Sequence, residues 1–81
     1  MKALIKVRLK KGILDPQGKA VNNALHHLGF NSINELRIGK LIELTISEKK
    51  PETAKKKIEE ACKKLLTNPI IEDFTYELIE D

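Results

Sequence analysis

The chain of 81 residues is poor in cysteine, aromatic residues and charge excess, with one Cys, 4% aromatics and a net charge of +3. Cys62 alone excludes an intrachain disulfide and a thiolate metal cluster within one chain. No apolar run approaches membrane-spanning length, so no membrane association is expected. An RNA-binding sheet needs exposed aromatics on its central strands, and the stretch Lys40–Ile46 has none. Fifteen basic residues against twelve acidic ones, with lysines interleaved among glutamates, give no single-sign field that would call for nucleic acid. Gly12 and Gly18 are six residues apart with no Gly-Lys-Ser/Thr sequence, so a nucleotide P-loop is absent. Lys11-Gly12-Ile13-Leu14-Asp15 offers one carboxylate and no thiol, which excludes a soft-metal carrier site there. The opening Met1–Lys6 lacks the uninterrupted apolar stretch of a secretory signal, and a cytoplasmic location is expected.

What remains is a soluble domain spanning residues 1–81, 41% hydrophobic and 33% charged. A chain this short buries only about 60% of its unfolded surface, and its core rarely supplies more than about 3 to 5 kcal/mol. Self-association, as a homodimer or tetramer, is therefore expected.

Alternation from Ala3 to Leu9, with Ala3, Ile5, Val7 and Leu9 on one side, predicts a half-buried strand. Asp15-Pro16 supplies a capping acceptor followed by a residue suited to the first helical position. The helix starting there carries a stripe of Ala20, Val21, Ala24, Leu25 and Leu28 and stops at Gly29, where Phe30 folds back on Leu25. Ser32–Ile38 and Leu41–Ile46 read as two strands joined by a tight turn at Gly39-Lys40. Pro51 opens a second helix with the stripe Ala54, Ile58, Ala61, Cys62 and Leu65. Its other face spaces Glu52 and Lys56, Glu59 and Lys63, and Glu60 and Lys64 at i, i+4, each pair worth about 0.2 to 0.5 kcal/mol. Asn68-Pro69 ends it, and a last strand follows over Ile70–Ile79.

The resulting order, β-α-β-β-α-β, predicts an α+β two-layer sandwich related to the ferredoxin-like fold: an antiparallel sheet with two helices on one face. Ile5, Val7, Ile42, Leu44, Phe74 and Tyr76 would face the helices. The open face would mix Leu4, Leu41, Ile71 and Ile79 with Lys6, Arg8, Glu43, Thr45 and Glu77, a composition that favours self-association.

Candidate reactive groups have plainer explanations. Cys62 sits on an apolar stripe with no histidine nearby in sequence, which is a packing position. His26 and His27 occupy a last helical turn, where cations are favoured. Asp15 is accounted for by capping. Gly18, however, costs about 1 kcal/mol relative to alanine inside a first turn and needs another reason, such as close approach of a second backbone. That points to a docking surface.

The run Lys11–Lys19, with Leu25-His26-His27-Leu28-Gly29-Phe30, Arg37-Ile38-Gly39-Lys40 and Lys64–Phe74, closely resembles the PurS subunits of phosphoribosylformylglycinamidine (FGAM) synthase over nearly the whole chain. Ile13 and Thr67 are mild departures, where valine and alanine are common in that family. The resemblance implies a non-catalytic small subunit that joins a glutaminase subunit and a large synthetase subunit in purine biosynthesis. The assembled ligase forms a C–N bond, using ATP and glutamine to convert formylglycinamide ribonucleotide to formylglycinamidine ribonucleotide. ATP and magnesium are then expected on the synthetase, with no cofactor, metal or catalytic residue in this chain. Candidate partner contacts are Asp15, Gln17, Gly18 and Lys19 at the start of helix one, Arg37 and Lys40 at the hairpin, and Asn68, Pro69 and Glu72. The competing class is a small-ligand-sensing regulatory domain of the amino-acid-binding type, which shares this element order. An acylphosphatase-like enzyme would need an arginine cradle in the first loop, and Lys10–Asp15 has none.

Overall fold

Alternation in the first ten residues builds the middle of the sheet. In the computed structural model, which describes residues 1–80, strand β1 (Lys2–Leu9) pairs antiparallel on both sides, with β2 (Lys40–Thr45) and β3 (Glu72–Ile79), in the order β2-β1-β3. The one-domain expectation extends to Asp81, which lies outside the described residues. The register places Ile5 opposite Ile42 and Tyr76, and Ala3 opposite Leu44 and Leu78. The apolar sides of three strands therefore coincide, as their period of two requires.

Helix α2 (Pro51–Ala61) covers that side. Ala54, Ile58 and Cys62, four residues apart, are fully buried, and Ile58 and Cys62 pack with Ala3, Ile5 and Val7. Burying one such aliphatic side chain contributes about 1.5 to 3 kcal/mol. At its end α2 widens into a single π turn over Cys62–Leu66. The Thr67 amide and Oγ1 both donate to the Cys62 carbonyl, at 2.9 and 2.8 Å. The wider turn brings Leu66 onto the core and leaves Leu65, expected there, 83% exposed. Of the three ion pairs expected on the outer face, Glu60–Lys64 closes at 3.9 Å, whereas Glu59 instead accepts from the Tyr76 hydroxyl at 2.8 Å.

Helix α1 (Pro16–His27) has the expected ends. Asp15 Oδ1 accepts from the Gly18 amide at 3.0 Å. At the other end Gly29 adopts φ of +99°, its amide donates to His26, and Phe30 donates to the Leu25 carbonyl at 3.0 Å. This is the paired-bond stop that a left-handed glycine permits.

Three expectations are corrected within the α+β architecture. First, α1 does not lie on the sheet, so α2 alone covers it. Only Gly18 of α1 is buried, while Val21 is 42% and Leu28 74% exposed. The helix extends beyond the sheet, and the molecule measures 50 × 28 × 14 Å. Second, Ser32–Ile38 forms no strand, so the sheet has three strands and the order is β-α-β-α-β. The reason is competition for its polar groups. The Ile38 amide donates to Asp15 Oδ2 at 2.8 Å, and the Ile33 carbonyl accepts from His26 Nε2 at 2.6 Å. The segment runs back along α1, and β1 already has a neighbour on each side. The last strand also starts later than Ile70, because the Ile71 and Glu72 amides turn back to the Asn68 carbonyl at 3.1 and 2.7 Å.

Candidate functional site

The returning segment, the start of α1 and the ends of β1 and β3 meet around Asp15. This carboxylate is 8% exposed, and its two oxygens accept separately from the amides of Gly18 and Ile38. The Arg37 guanidinium lies 4.0 Å away. The Ile38 and Gly18 amides, aided by Arg37, hold the carboxyl below its ordinary value despite its desolvation. Asp15 is therefore ionised at neutral pH and fully engaged. It anchors two segments and is not free to act as a base.

Arg37 is itself fixed, donating to the carbonyls of Ile13 at 3.0 Å and Lys10 at 3.4 Å. Gly18 answers the question its sequence position raised. A Cβ there would run into the Asp15 carboxylate and lie 2.8 Å from the Leu36 carbonyl. The second backbone that approaches it belongs to this chain's own returning segment. Gly39 plays the same part at the sheet, since a Cβ there would collide with the Val7 carbonyl.

Across the end of the sheet, Lys40 pairs with Glu72 at 3.6 Å. Glu72 Oε1 also accepts from the Asn68 amide at 2.7 Å, and Asn68 Oδ1 accepts from the Ile70 amide at 3.1 Å. A cleft of about 390 Å³ with Val7 and Leu9 in its wall brings together Asp15, Gln17, Lys40 and Glu72. Arg37, Gly18 and Asn68 join this set through the contacts just described. Lys19 and Pro69 stand at its margins: Lys19 lines an adjoining depression that shares Asp15 and Arg37, and its amide donates to the Asp15 carbonyl at 3.0 Å, while Pro69 lines another that shares Glu72.

On the other side of the returning segment lies a larger cleft of about 630 Å³ that the sequence reading did not single out. Its walls carry Lys6, Arg8 and Lys11 together with Ile38 and Leu41. The signal was present in the outward positions of β1, where Lys6 and Arg8 alternate with the buried Ile5 and Val7.

Away from the two clefts, the other candidate reactive groups are held in internal contacts. Burial, reinforced by Glu59, pushes the Cys62 thiol up, away from the reactive thiolate. Burial and the bond to Glu59 likewise raise the Tyr76 phenol. His26 and His27 spend a ring nitrogen each on the carbonyls of Ile33 and Asn23. Among the described residues no group of three or more His, Cys, Asp or Glu side chains is arranged to hold a metal ion, and no helix is long and apolar enough to cross a membrane. What the geometry places at the two clefts is charge, exposed aliphatic groups and a return segment pinned by Asp15 and Arg37.

The family model for PurS, phosphoribosylformylglycinamidine (FGAM) synthase, matches residues 2–80. The phosphoribosylformylglycinamidine synthase subunit PurS of Bacillus subtilis is 47% identical over 79 residues, which cover 98% of this chain and 93% of that protein. Its counterpart in Methanocaldococcus jannaschii is 42% identical over 73 residues, covering 90% and 88% of the two chains. Among solved structures, B. subtilis PurS superposes with a TM-score of 0.83 at 44% identity over 98% of both chains. A chain in the structure of PurLQS from Thermotoga maritima superposes with a TM-score of 0.87 at 29% identity, covering 94% of this chain and 93% of that one. With a match along almost its entire length in sequence and in fold, the chain belongs to the PurS family of FGAM synthase subunits.

Proposed function

We propose that this chain acts as a non-catalytic bridge in the FGAM synthase of purine biosynthesis, holding a glutaminase subunit and a large synthetase subunit together so that ammonia passes between them. The observation that carries this reading is the PurS family match over residues 2–80, beside a cleft whose Asp15 carboxylate is committed to the amides of Gly18 and Ile38. The PurLQS neighbour supports assembly with larger subunits.

In the reaction of the complex, ATP phosphorylates the amide oxygen of formylglycinamide ribonucleotide, neutral ammonia adds to that carbon, and phosphate leaves to give the amidine. ATP and magnesium belong to the synthetase. The physical need for a bridge follows from the nucleophile. Ammonia in water at neutral pH is mostly ammonium, which has no lone pair to attack with, so a sheltered and correctly aligned route preserves reactivity. The chain meets that need as an oligomer in the cytoplasm, with the cleft of Asp15, Gln17, Lys40 and Glu72, flanked by Arg37, Gly18, Asn68, Lys19 and Pro69, facing its partners.

Omitting the chain from a reconstituted complex tests the reading. Glutamine-dependent product formation should collapse while ammonia-dependent formation persists. Equal loss of both would place its action on the synthetase active site, and no change in either would refute the bridge.

A further inference from the structure

We infer that the larger cleft, between β1, β2 and the returning segment, receives an acidic surface segment of one of the two larger subunits, an assignment that rests on the bridging reading above. Five cationic side chains line this cleft against one carboxylate, Glu35. Two of the cations are already matched within the chain, Arg37 by Asp15 and Lys40 by Glu72. The side chains of Lys6, Arg8 and Lys11 have no ion-pair or hydrogen-bond partner among the described residues, and all three residues are exposed. Between them lie Ile38, 36% exposed, and Leu41, 58% exposed.

An excess of unmatched cations, three against the one carboxylate of Glu35, around exposed aliphatic groups complements a segment that presents carboxylates beside an apolar side chain. The cleft is also preformed, which lowers the ordering cost of binding. Arg37 is tied to Ile13, Ile38 to Asp15, and Gly39 lets the segment pass against the Val7 carbonyl. A nucleotide fits less well, because no aromatic side chain lines the cleft for a base to stack on. The charged face of α2 differs in kind: there lysines alternate with glutamates, as in the Glu60–Lys64 pair.

The test measures binding of the full chain to the purified glutaminase and synthetase subunits, each alone and together, at low and high salt. The variant is K6E/R8E/K11E, with K6Q/R8Q/K11Q as a second form should the first fail to fold, and K55E/K56E on α2 as the control. The expected result is a loss of about tenfold or more for the cleft variants towards one subunit, and binding of the wild type that weakens with salt while that of the variants does not. The control should stay within about twofold of wild type. Unchanged affinity, or an equal loss in the control, would overturn the assignment. So would a change in oligomeric state by sedimentation, which would give the cleft to a second copy, or competition by inorganic phosphate or a purine nucleotide, which would make it a small-anion site. Absence of wild-type binding to either subunit, singly or together, would overturn the bridging reading along with it, whereas wild-type binding with indifferent variants sinks this assignment alone.

Discussion

Helices α1 and α2 both begin at a proline and both carry an apolar stripe, yet the chain holds them by opposite means. The stripe of α2 is sealed on β1, with Ala54, Ile58 and Cys62 fully buried. The stripe of α1 remains open, and that helix is fixed by polar contacts: Asp15 to Gly18 and Ile38 near its start, and His26 to Ile33 near its end. One helix makes the core and the other makes a surface. Non-directional burial gives α2 its stability, while directional hydrogen bonds place α1 and the returning segment in one defined geometry without consuming the apolar groups that face outward.

The contrast can be broken most severely at α2. Ile58→Ala opens a cavity against Ala3, Ile5 and Val7 and should cost about 2 to 5 kcal/mol in urea unfolding. At the α1 end, Gly18→Ala should cost about 1 to 3 kcal/mol, because the new methyl displaces either the Asp15 carboxylate or the Leu36 carbonyl. Hydrogen exchange should then show earlier opening of the Ile38 amide with little change in β1. A loss shared equally by β1 would mean that the two regions unfold as one.

Asp15→Ala sharpens the difference by its pH dependence. The folded carboxyl titrates below its ordinary value of 3.8, so on acidification the unfolded chain takes up this proton first. Its contribution is complete above the unfolded value and is lost as the pH falls through the folded one. The variant's melting midpoint should lie roughly 4 to 8 °C below wild type at neutral pH. The gap should narrow as the pH drops below about 4, where the wild-type carboxyl also becomes neutral. A gap that stayed constant down to strong acid would show that the charge of Asp15 contributes nothing to the anchor.

These same contacts explain which parts of the fold could be read in the amino acids. β1, both ends of α1 and the start of α2 are written locally, in the alternation Ala3-Ile5-Val7, in Asp15-Pro16, in Gly29 and in Pro51. Gly18 was legible as a place where another backbone comes close, but not that the backbone is this chain's own Leu36. Ser32–Ile38 misled because its apolar residues, Ile33, Leu36 and Ile38, suggested a strand while its polar groups were claimed from a distance by Asp15 and His26. Leu65 misled for a related reason: the bond from Thr67 to Cys62 widens the helix by one residue, and nothing in the local spacing announces it. Of the candidate site, the Asp15, Gln17, Lys40 and Glu72 grouping was foreseeable as separate positions, whereas Lys6, Arg8 and Lys11 became visible only once β1 and the returning segment were side by side.

The central place of β1 also governs how the molecule is made. Lys2 pairs with Ile79, so β1 waits, with its second edge unfilled, until β3 has been synthesised. Closure of the sheet therefore depends on a pairing of distant residues, and the apolar strand β1 must be kept from foreign pairings until β3 arrives.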